Sequence, residues 1–351
     1  MPVRVLIIDD SAVMRSFLAD ALGGDPGIEV VGSAPDPAVA RQKIKALNPD
    51  VITLDIEMPG MDGLTFLDHL MRLRPMPVVM VSSLTQSGAA ATLRALELGA
   101  ADFVAKPLHG AEAAWPEFTA AIAEKVKRAA RSRAPLALPP PVRLPPLGSA
   151  AMAGRVIVLG GSTGAVAALQ HILSAMPEDA PAMAAAVHMP AQFTRQFAAR
   201  LDGLCSMRVL EAAEGLPLER GHVYLAPGDR HMTIARHGPG HCCRLEDGPK
   251  VSGHRPSVDV LFESVARSAA SHGLGIILTG MGRDGAIGLR AMRGAGALTA
   301  CQDEATSLIY GMPGAAVAAD AVEAELPLPD IAAFILRHAA AGRAAYPRQG
   351  A

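Results

Sequence analysis

Along the chain, short apolar runs alternate with longer stretches in which apolar residues recur three and four apart. Val3–Ile8, Val51–Leu54, Val78–Val81 and Asp102–Val104 read as strands, because brief runs rich in valine, isoleucine and leucine suit a buried sheet. Between them the period changes to that of helices. Ser11–Leu22 is predicted as one, with Val13, Phe17, Leu18 and Ala21 on its inner face. Asp36-Pro37 reads as a helix N-cap followed by proline at the first helical position. Strand and helix alternating over short loops imply a doubly wound parallel α/β sheet for residues 1–124.

The same alternation returns over residues 154–337. Strands are predicted near Val156, Ala185, Tyr224 and Ile276, mostly parallel, with a hairpin around residues 237–247. Between the two regions, Pro135, Pro139, Pro140, Pro141, Pro145 and Pro146 exclude helix and central strand. Residues 125–153 are therefore expected to form a stiff interdomain linker. Lys125, Lys127 and Arg128 read as a solvated helix end. Residues 338–351, rich in alanine and arginine, form a tail with no readable signal.

Composition narrows the function classes. Half the residues are hydrophobic, yet no apolar run approaches the roughly 18 residues of a membrane span. The start, Met1-Pro2-Val3-Arg4, lacks the marks of a signal peptide. A net charge of −2 and 3% aromatic residues argue against nucleic-acid binding. Cys205, Cys242, Cys243 and Cys301 show no CxxC spacing and read as reduced thiols of a cytoplasmic protein. His237, His241, Cys242 and Cys243 lie close enough to consider a metal site. Gly238, Pro239 and Gly240 interrupt them, however, and adjacent strand cysteines face opposite ways, so an ordinary hairpin is the expectation.

Chemistry gathers at the predicted strand ends. Strand one ends in Asp9-Asp10 and strand two in Asp55; Ser82 ends the next, and Lys106 precedes Pro107 after the last. In a parallel sheet these positions meet at the carboxyl edge. Three carboxylates together repel one another unless a cation joins them, and an all-oxygen donor set suits Mg²⁺. A hydroxyl and an ammonium nearby would complete a phosphoryl-binding site. The plainer reading, helix capping, accounts for one such aspartate but not for three beside a Lys-Pro.

These residues resemble the receiver domain of two-component response regulators. The likeness runs through Leu6-Ile-Ile-Asp-Asp-Ser-Ala-Val-Met-Arg15, Leu54-Asp-Ile-Glu-Met-Pro-Gly-Met-Asp-Gly63, Met80-Val-Ser-Ser-Leu84 and Lys106-Pro107. It implies a flavodoxin-like (βα)5 fold and a phosphoryl group passed to Asp55 from a sensor histidine kinase. It also implies Mg²⁺ held by Asp10, Asp55 and the Glu57 carbonyl with Asp9 nearby, and Ser82 and Lys106 on the phosphoryl oxygens. Phe103 falls at the aromatic switch position. Residues 1–124 carry 16 acids against 9 bases, so this region is electronegative.

Val156-Ile-Val-Leu-Gly-Gly-Ser-Thr-Gly164 poses a choice between a phosphate cradle and an exposed nucleophile. The glycine spacing is wrong for a dinucleotide site, the next predicted strand ends in His188 rather than an acid, and no lysine follows the turn. Gly160-Gly-Ser-Thr-Gly164 does fit G-x-S-x-G, a turn that exposes its serine. His188 and Asp284 lie beyond the ends of other predicted strands, so hydroxyl, imidazole and carboxylate can converge. A serine needs a base near neutral pH, and histidine suits that task. Backbone N–H groups near Thr163 or Met281-Gly282 are candidates for an oxyanion site.

These segments, with His188-Met-Pro190, Phe193-Thr194, Tyr224-Leu-Ala-Pro-Gly228, Arg255-Pro-Ser-Val-Asp259, Leu278–Gly285 and Tyr310-Gly-Met-Pro313, resemble the catalytic domain of the chemotaxis protein-glutamate methylesterase family, which also deamidates glutamine. The resemblance implies a Ser162, His188 and Asp284 triad, Thr163 assisting His188, and the Met281 amide on the oxyanion. No cofactor is expected in this domain. Methyl-accepting chemoreceptors would be the substrates, and the protein is expected to be a monomer. Family members often read G-A-S-T-G-G where Gly161 and Ala165 stand here, and Val187 replaces a frequent glutamine.

Overall fold

The computed structural model describes residues 1–58, 61–82, 86–107, 115–132, 140–148 and 155–341. Ser83, linker residues 133–139 and 149–154, and residues 342–351 of the expected tail lie outside the described residues. Residues 338–341 are not tail but the end of a helix that runs to Ala341, where His338 and Ala339 are buried. The chain divides into two units, Met1–Ala137 and Leu138–Ala351.

The first unit has five parallel strands: β1 (Val3–Ile8), β2 (Ile28–Ala34), β3 (Val51–Asp55), β4 (Val78–Ser82) and β5 (Asp102–Ala105). Their order is β2-β1-β3-β4-β5, so the winding reverses between β1 and β3. Helices α1 (Ala12–Gly23), α2 (Pro37–Leu47), α3 (Gly63–Leu73), α4 (Gln86–Glu97) and α5 (Trp115–Ala129) follow the strands in turn. Asp36 caps α2 as its position before Pro37 predicts, accepting from Ala38 N and Val39 N. Two details depart from the sequence pattern. Val13 is 80% exposed, because α1 turns Leu18 and Leu22 toward the sheet instead. Helix α5 continues past residue 124 to Ala129, and Lys125 and Lys127 are tied to Asp102 and Asp25.

The second unit is built on seven parallel strands in the order β14-β13-β12-β6-β7-β9-β8. They are β6 (Val156–Gly161), β7 (Met183–Val187), β8 (Arg208–Glu211), β9 (His222–Leu225), β12 (Gly273–Ile277), β13 (Leu298–Gln302) and β14 (Ala324–Leu326). Helices α6 (Ala165–Ala175), α7 (Ala191–Asp202), α8 (Val258–Ser268), α9 (Ala286–Gly294), α10 (Met312–Ala318) and α11 (Leu328–Ala341) accompany them. The predicted hairpin is present as β10 (His231–His237) paired antiparallel with β11 (Gly240–Glu246). Its His237 is exposed beside the turn, His241 donates from Nε2 to the Ser268 carbonyl, and Cys242 and Cys243 are buried free thiols. The central strands are buried along their whole length, as expected of a sheet covered on both faces.

The described part of the linker is no free tether. Leu144 N donates to Ala175 O at 2.9 Å, and the Asp179 carboxylate accepts from Leu147 N and Gly148 N. Arg220 closes this clasp by donating to both Gly148 O and Asp179 Oδ2. Residues 144–148 thus belong structurally to the second unit.

Candidate functional site

Each sheet places its chemistry where its winding reverses, the place where crevices open at the carboxyl edge. In the second unit this point lies between β6 and β12. Ser162 follows β6, Asp284 lies in the loop after β12, and His188 follows β7. Register fixes their neighbourhood: Gly160 pairs with Ile277 and Gly161 with Val187, and His188 N then donates to Gly161 O at 3.3 Å.

Ser162 sits in a tight strand-to-helix turn. Gly164, at φ 85°, takes the left-handed conformation, and Ala165 opens α6 in ordinary helical geometry. Ser162 N donates to Thr279 O at 3.1 Å, tying the turn to the loop after β12. Thr279 Oγ1 adds a bond to the Thr163 carbonyl and accepts from Ile309 N. Gly280 must be glycine for Ser162 to stay put, since a Cβ there would lie 2.9 Å from Ser162 Cβ. Among the described residues the Met281 N–H makes no hydrogen bond, so it is available to an incoming oxygen. Thr163, which is buried, has the Thr279 hydroxyl on its carbonyl.

Asp284 is held by four donors. His188 Nε2–H donates to Oδ2 at 2.8 Å, as does Val258 N at 2.8 Å; Ser257 Oγ and Asp259 N donate to Oδ1 at 2.7 and 3.0 Å. The carboxylate therefore occupies the N-terminus of α8, where backbone N–H groups and the helix dipole favour negative charge. Burial by itself pushes the Asp284 carboxyl up. The bonded His188 and the Asp259 and Val258 N–H groups outweigh it and hold the carboxyl below its usual range. Beside it, Asp259 is pushed up by burial and by the Asp284 charge, partly offset by the Gly288 N–H it accepts.

The other nitrogen of His188, Nδ1, is buried with no hydrogen-bond partner. In the neutral ring with Nε2–H bound to Asp284, the lone pair lies on Nδ1. Ser162 Oγ makes no hydrogen bond among the described residues. An imidazole nitrogen without a partner and an unengaged hydroxyl thus follow neighbouring strands.

Several supports escaped the sequence reading. His231 donates from Nε2 to Pro249 O and accepts at Nδ1 from Ser257 N, fixing the residue that caps α8 and holds Asp284. Ser257 and Asp259 lie within Arg255-Pro-Ser-Val-Asp259, a segment recognisable in sequence but without a role until Asp284 is placed against it.

In the first unit the reversal lies between β1 and β3, and Asp9, Asp10 and Asp55 bring ligand oxygens within 4.8 Å of one another. Register explains this: Ile8 pairs with Leu54, Asp55 with Val81, and Ser82 with Ala105. Lys106 Nζ donates to Asp9 Oδ2 at 3.1 Å and Asp55 Oδ2 at 2.8 Å. Burial raises the Asp55 carboxyl more than Lys106 can offset, and Asp9 raises it further. One ammonium facing three carboxylates leaves negative charge uncompensated, and an oxygen-only donor set fits a hard divalent cation. Glu57 is exposed, with its N–H 3.4 Å from Asp55 Oδ1. Buried Ser82 donates to Gly88 O and accepts from Thr92 Oγ1. Phe103 is buried, with Lys125 Nζ 4.9 Å from its ring centroid.

Comparison with known proteins agrees with both halves. Residues 157–335 match the CheB methylesterase family, and residues 5–113 match the response regulator receiver domain. A Chromohalobacter salexigens protein named protein-glutamate methylesterase/protein-glutamine glutaminase is 51% identical over 351 residues, covering 97% of this chain and 98% of that one. A Salmonella typhimurium protein of the same name is 49% identical over 346 residues, again 97% and 98% of the two chains. The crystal structure of the Thermotoga maritima CheB methylesterase catalytic domain superposes with a TM-score of 0.51 at 31% identity, over 52% of this chain and 98% of that one. With a G-x-S-x-G turn, a carboxylate-bound imidazole and an acidic receiver pocket arranged as described, the chain belongs to the CheB methylesterase family.

Proposed function

We propose that this protein hydrolyses glutamyl γ-methyl esters, and deamidates glutamines, on methyl-accepting chemoreceptors under control of its receiver domain. The observation that carries the reading is the His188 ring: one nitrogen is committed to an ionised Asp284, and the other is buried and available. Ser162 Oγ gives its proton to His188 Nδ1 as it attacks the ester carbonyl. The oxyanion is met by the Met281 N–H, and Thr163 helps to position His188. Collapse breaks the carbon–oxygen bond, and methanol leaves with the proton from the imidazolium. Water, deprotonated by the same nitrogen, then attacks the acyl-enzyme; glutamate departs and Ser162 recovers its proton. For glutamine the leaving group is ammonia, which depends more strongly on that protonation. These steps need no cofactor in this domain.

In the receiver, Asp55 accepts a phosphoryl group from a sensor histidine kinase. Mg²⁺, held by Asp9, Asp10, Asp55 and the Glu57 carbonyl, would neutralise charge on the phosphoryl oxygens. Ser82 and Lys106 hold those oxygens, and drawing Ser82 from Gly88 and Thr92 carries the signal into α4, with Phe103 as a second switch. No described helix is long and apolar enough to cross a membrane, and the protein is proposed to act in the cytoplasm, as a monomer, without nucleic acid. The test is methanol release from a methyl-esterified receptor, with and without a small phosphodonor and Mg²⁺. Stimulation should vanish in Asp55→Asn while basal release persists. Equal stimulation of Asp55→Asn would remove Asp55 from the control.

A further inference from the structure

We infer that His254 is a positioning residue for His188, setting the plane of its ring. The inference rests on the Ser162, His188 and Asp284 reading. His188 has one hydrogen-bonded nitrogen, Nε2, and a single bond fixes a point on the ring without fixing its plane. The plane is fixed by the His254 ring, whose centroid lies 3.6 Å away at an interplanar angle of 7°. With that face covered, rotation of the His188 ring out of this plane meets van der Waals contact.

The His254 backbone is itself held by a tight turn. Val251 and His254 exchange reciprocal backbone bonds, Val251 N to His254 O at 3.0 Å and His254 N to Val251 O at 2.9 Å. The turn between them puts Ser252 at φ 52° and Gly253 at φ 83°, the geometry of a tight hairpin turn. Ser252 Oγ lies 3.4 Å from Asp259 Oδ2. Ser257, Val258 and Asp259 then bind Asp284, so one segment places the carboxylate with its end and the imidazole with its beginning.

A ring held in one plane matters when it takes and returns the Ser162 proton, a step of turnover and not of substrate binding. The effect therefore belongs in kcat and not in KM.

Three variants of the full chain test this: His254→Ala, His254→Phe and His254→Leu, with methanol release from a methyl-esterified receptor as readout. His254→Ala should lower kcat about tenfold or more with KM within about twofold, the pattern of an interaction made only in the transition state. His254→Phe, which keeps an aromatic face, should recover most of the loss, and His254→Leu should not. Wild-type kcat in His254→Ala, or equal activity of the Phe and Leu variants, would overturn the inference. If His254→Ala does not fold, the Phe and Leu comparison decides alone. Ser162→Ala and His188→Ala run alongside: if they retain turnover the triad reading fails, and if they lose it while the His254 series is flat, only the role of His254 fails.

Discussion

The turn that carries Ser162 contains a reciprocal pair. Family members often have alanine at the position of Gly161 and glycine at that of Ala165; here the two are exchanged. A Cβ built on Gly161 would lie 2.6 Å from the Ala165 Cβ and 3.3 Å from both Leu278 Cβ and Thr279 O. The space between strand β6 and helix α6 thus holds one methyl group, from either side. Gly161→Ala alone overfills it and should cost about 1–3 kcal/mol of stability. Because the strain falls on residues flanking Ser162, displacement of this proposed nucleophile should lower kcat by roughly ten- to a hundredfold. Ala165→Gly alone leaves a small void in the first turn of a helix and should cost about 1–2 kcal/mol. In Gly161→Ala/Ala165→Gly the methyl returns to the same space, so most of the activity should return. The two changes should then show a coupling of about 1–2 kcal/mol, well above the few tenths expected of independent sites. Methanol release and denaturant unfolding of the single and double variants supply the cycle. A fully active, fully stable Gly161→Ala, or additive effects, would refute the shared-methyl argument.

Asp284→Asn should lower kcat about 10³–10⁴-fold, because both carboxylate oxygens are occupied by donors and the amide must turn its NH₂ toward some of them; methanol release within tenfold of wild type would contradict this. Asp259→Asn removes a buried carboxylate whose pKa is raised, first by burial and then by Asp284. An acid raised on folding costs stability above its folded pKa and costs nothing below its unfolded value of about 4. The variant should therefore be more stable than wild type at pH 8, with the advantage shrinking as pH falls toward 4, as urea titrations at several pH values would register. Asp179→Ala unfastens Leu147 N, Gly148 N and Arg220 from one acceptor. Limited proteolysis should then cut within residues 140–148 faster than in wild type, whereas an unchanged rate would mean the clasp does not hold the linker.

Much of this was legible in the sequence, for a physical reason. In parallel sheets the polar residue just past a β-branched run lands on the carboxyl edge, so Asp9, Asp55, Lys106, Ser162 and His188 could be placed from strand ends alone. Strands without strong apolar runs were harder to see. β2, β8 and β14 lie at sheet edges and are partly exposed, so their sequences are diluted with polar residues and glycine. β13 is interior yet ends in Gln302, buried because its side chain accepts from Thr279 N and donates to Thr306 O. The exposed Val13 shows the limit of helical periodicity, since two adjacent stripes on α1 satisfy the pattern and the sheet selects one. The supports of the proposed triad were invisible for another reason. Ser257, Val258 and Asp259 meet Asp284 across 25–27 residues of chain, and no local period records such a meeting.

The central claim is that Ser162 is made nucleophilic by Nδ1 of His188. It is tested most directly by the rate at which a fluorophosphonate forms a covalent adduct, mapped by mass spectrometry, on wild type and on His188→Ala. A single adduct on Ser162 is expected, formed about a hundredfold or more slowly in the variant, as removal of a general base demands. An adduct on another residue, or an undiminished rate without the imidazole, would contradict the account.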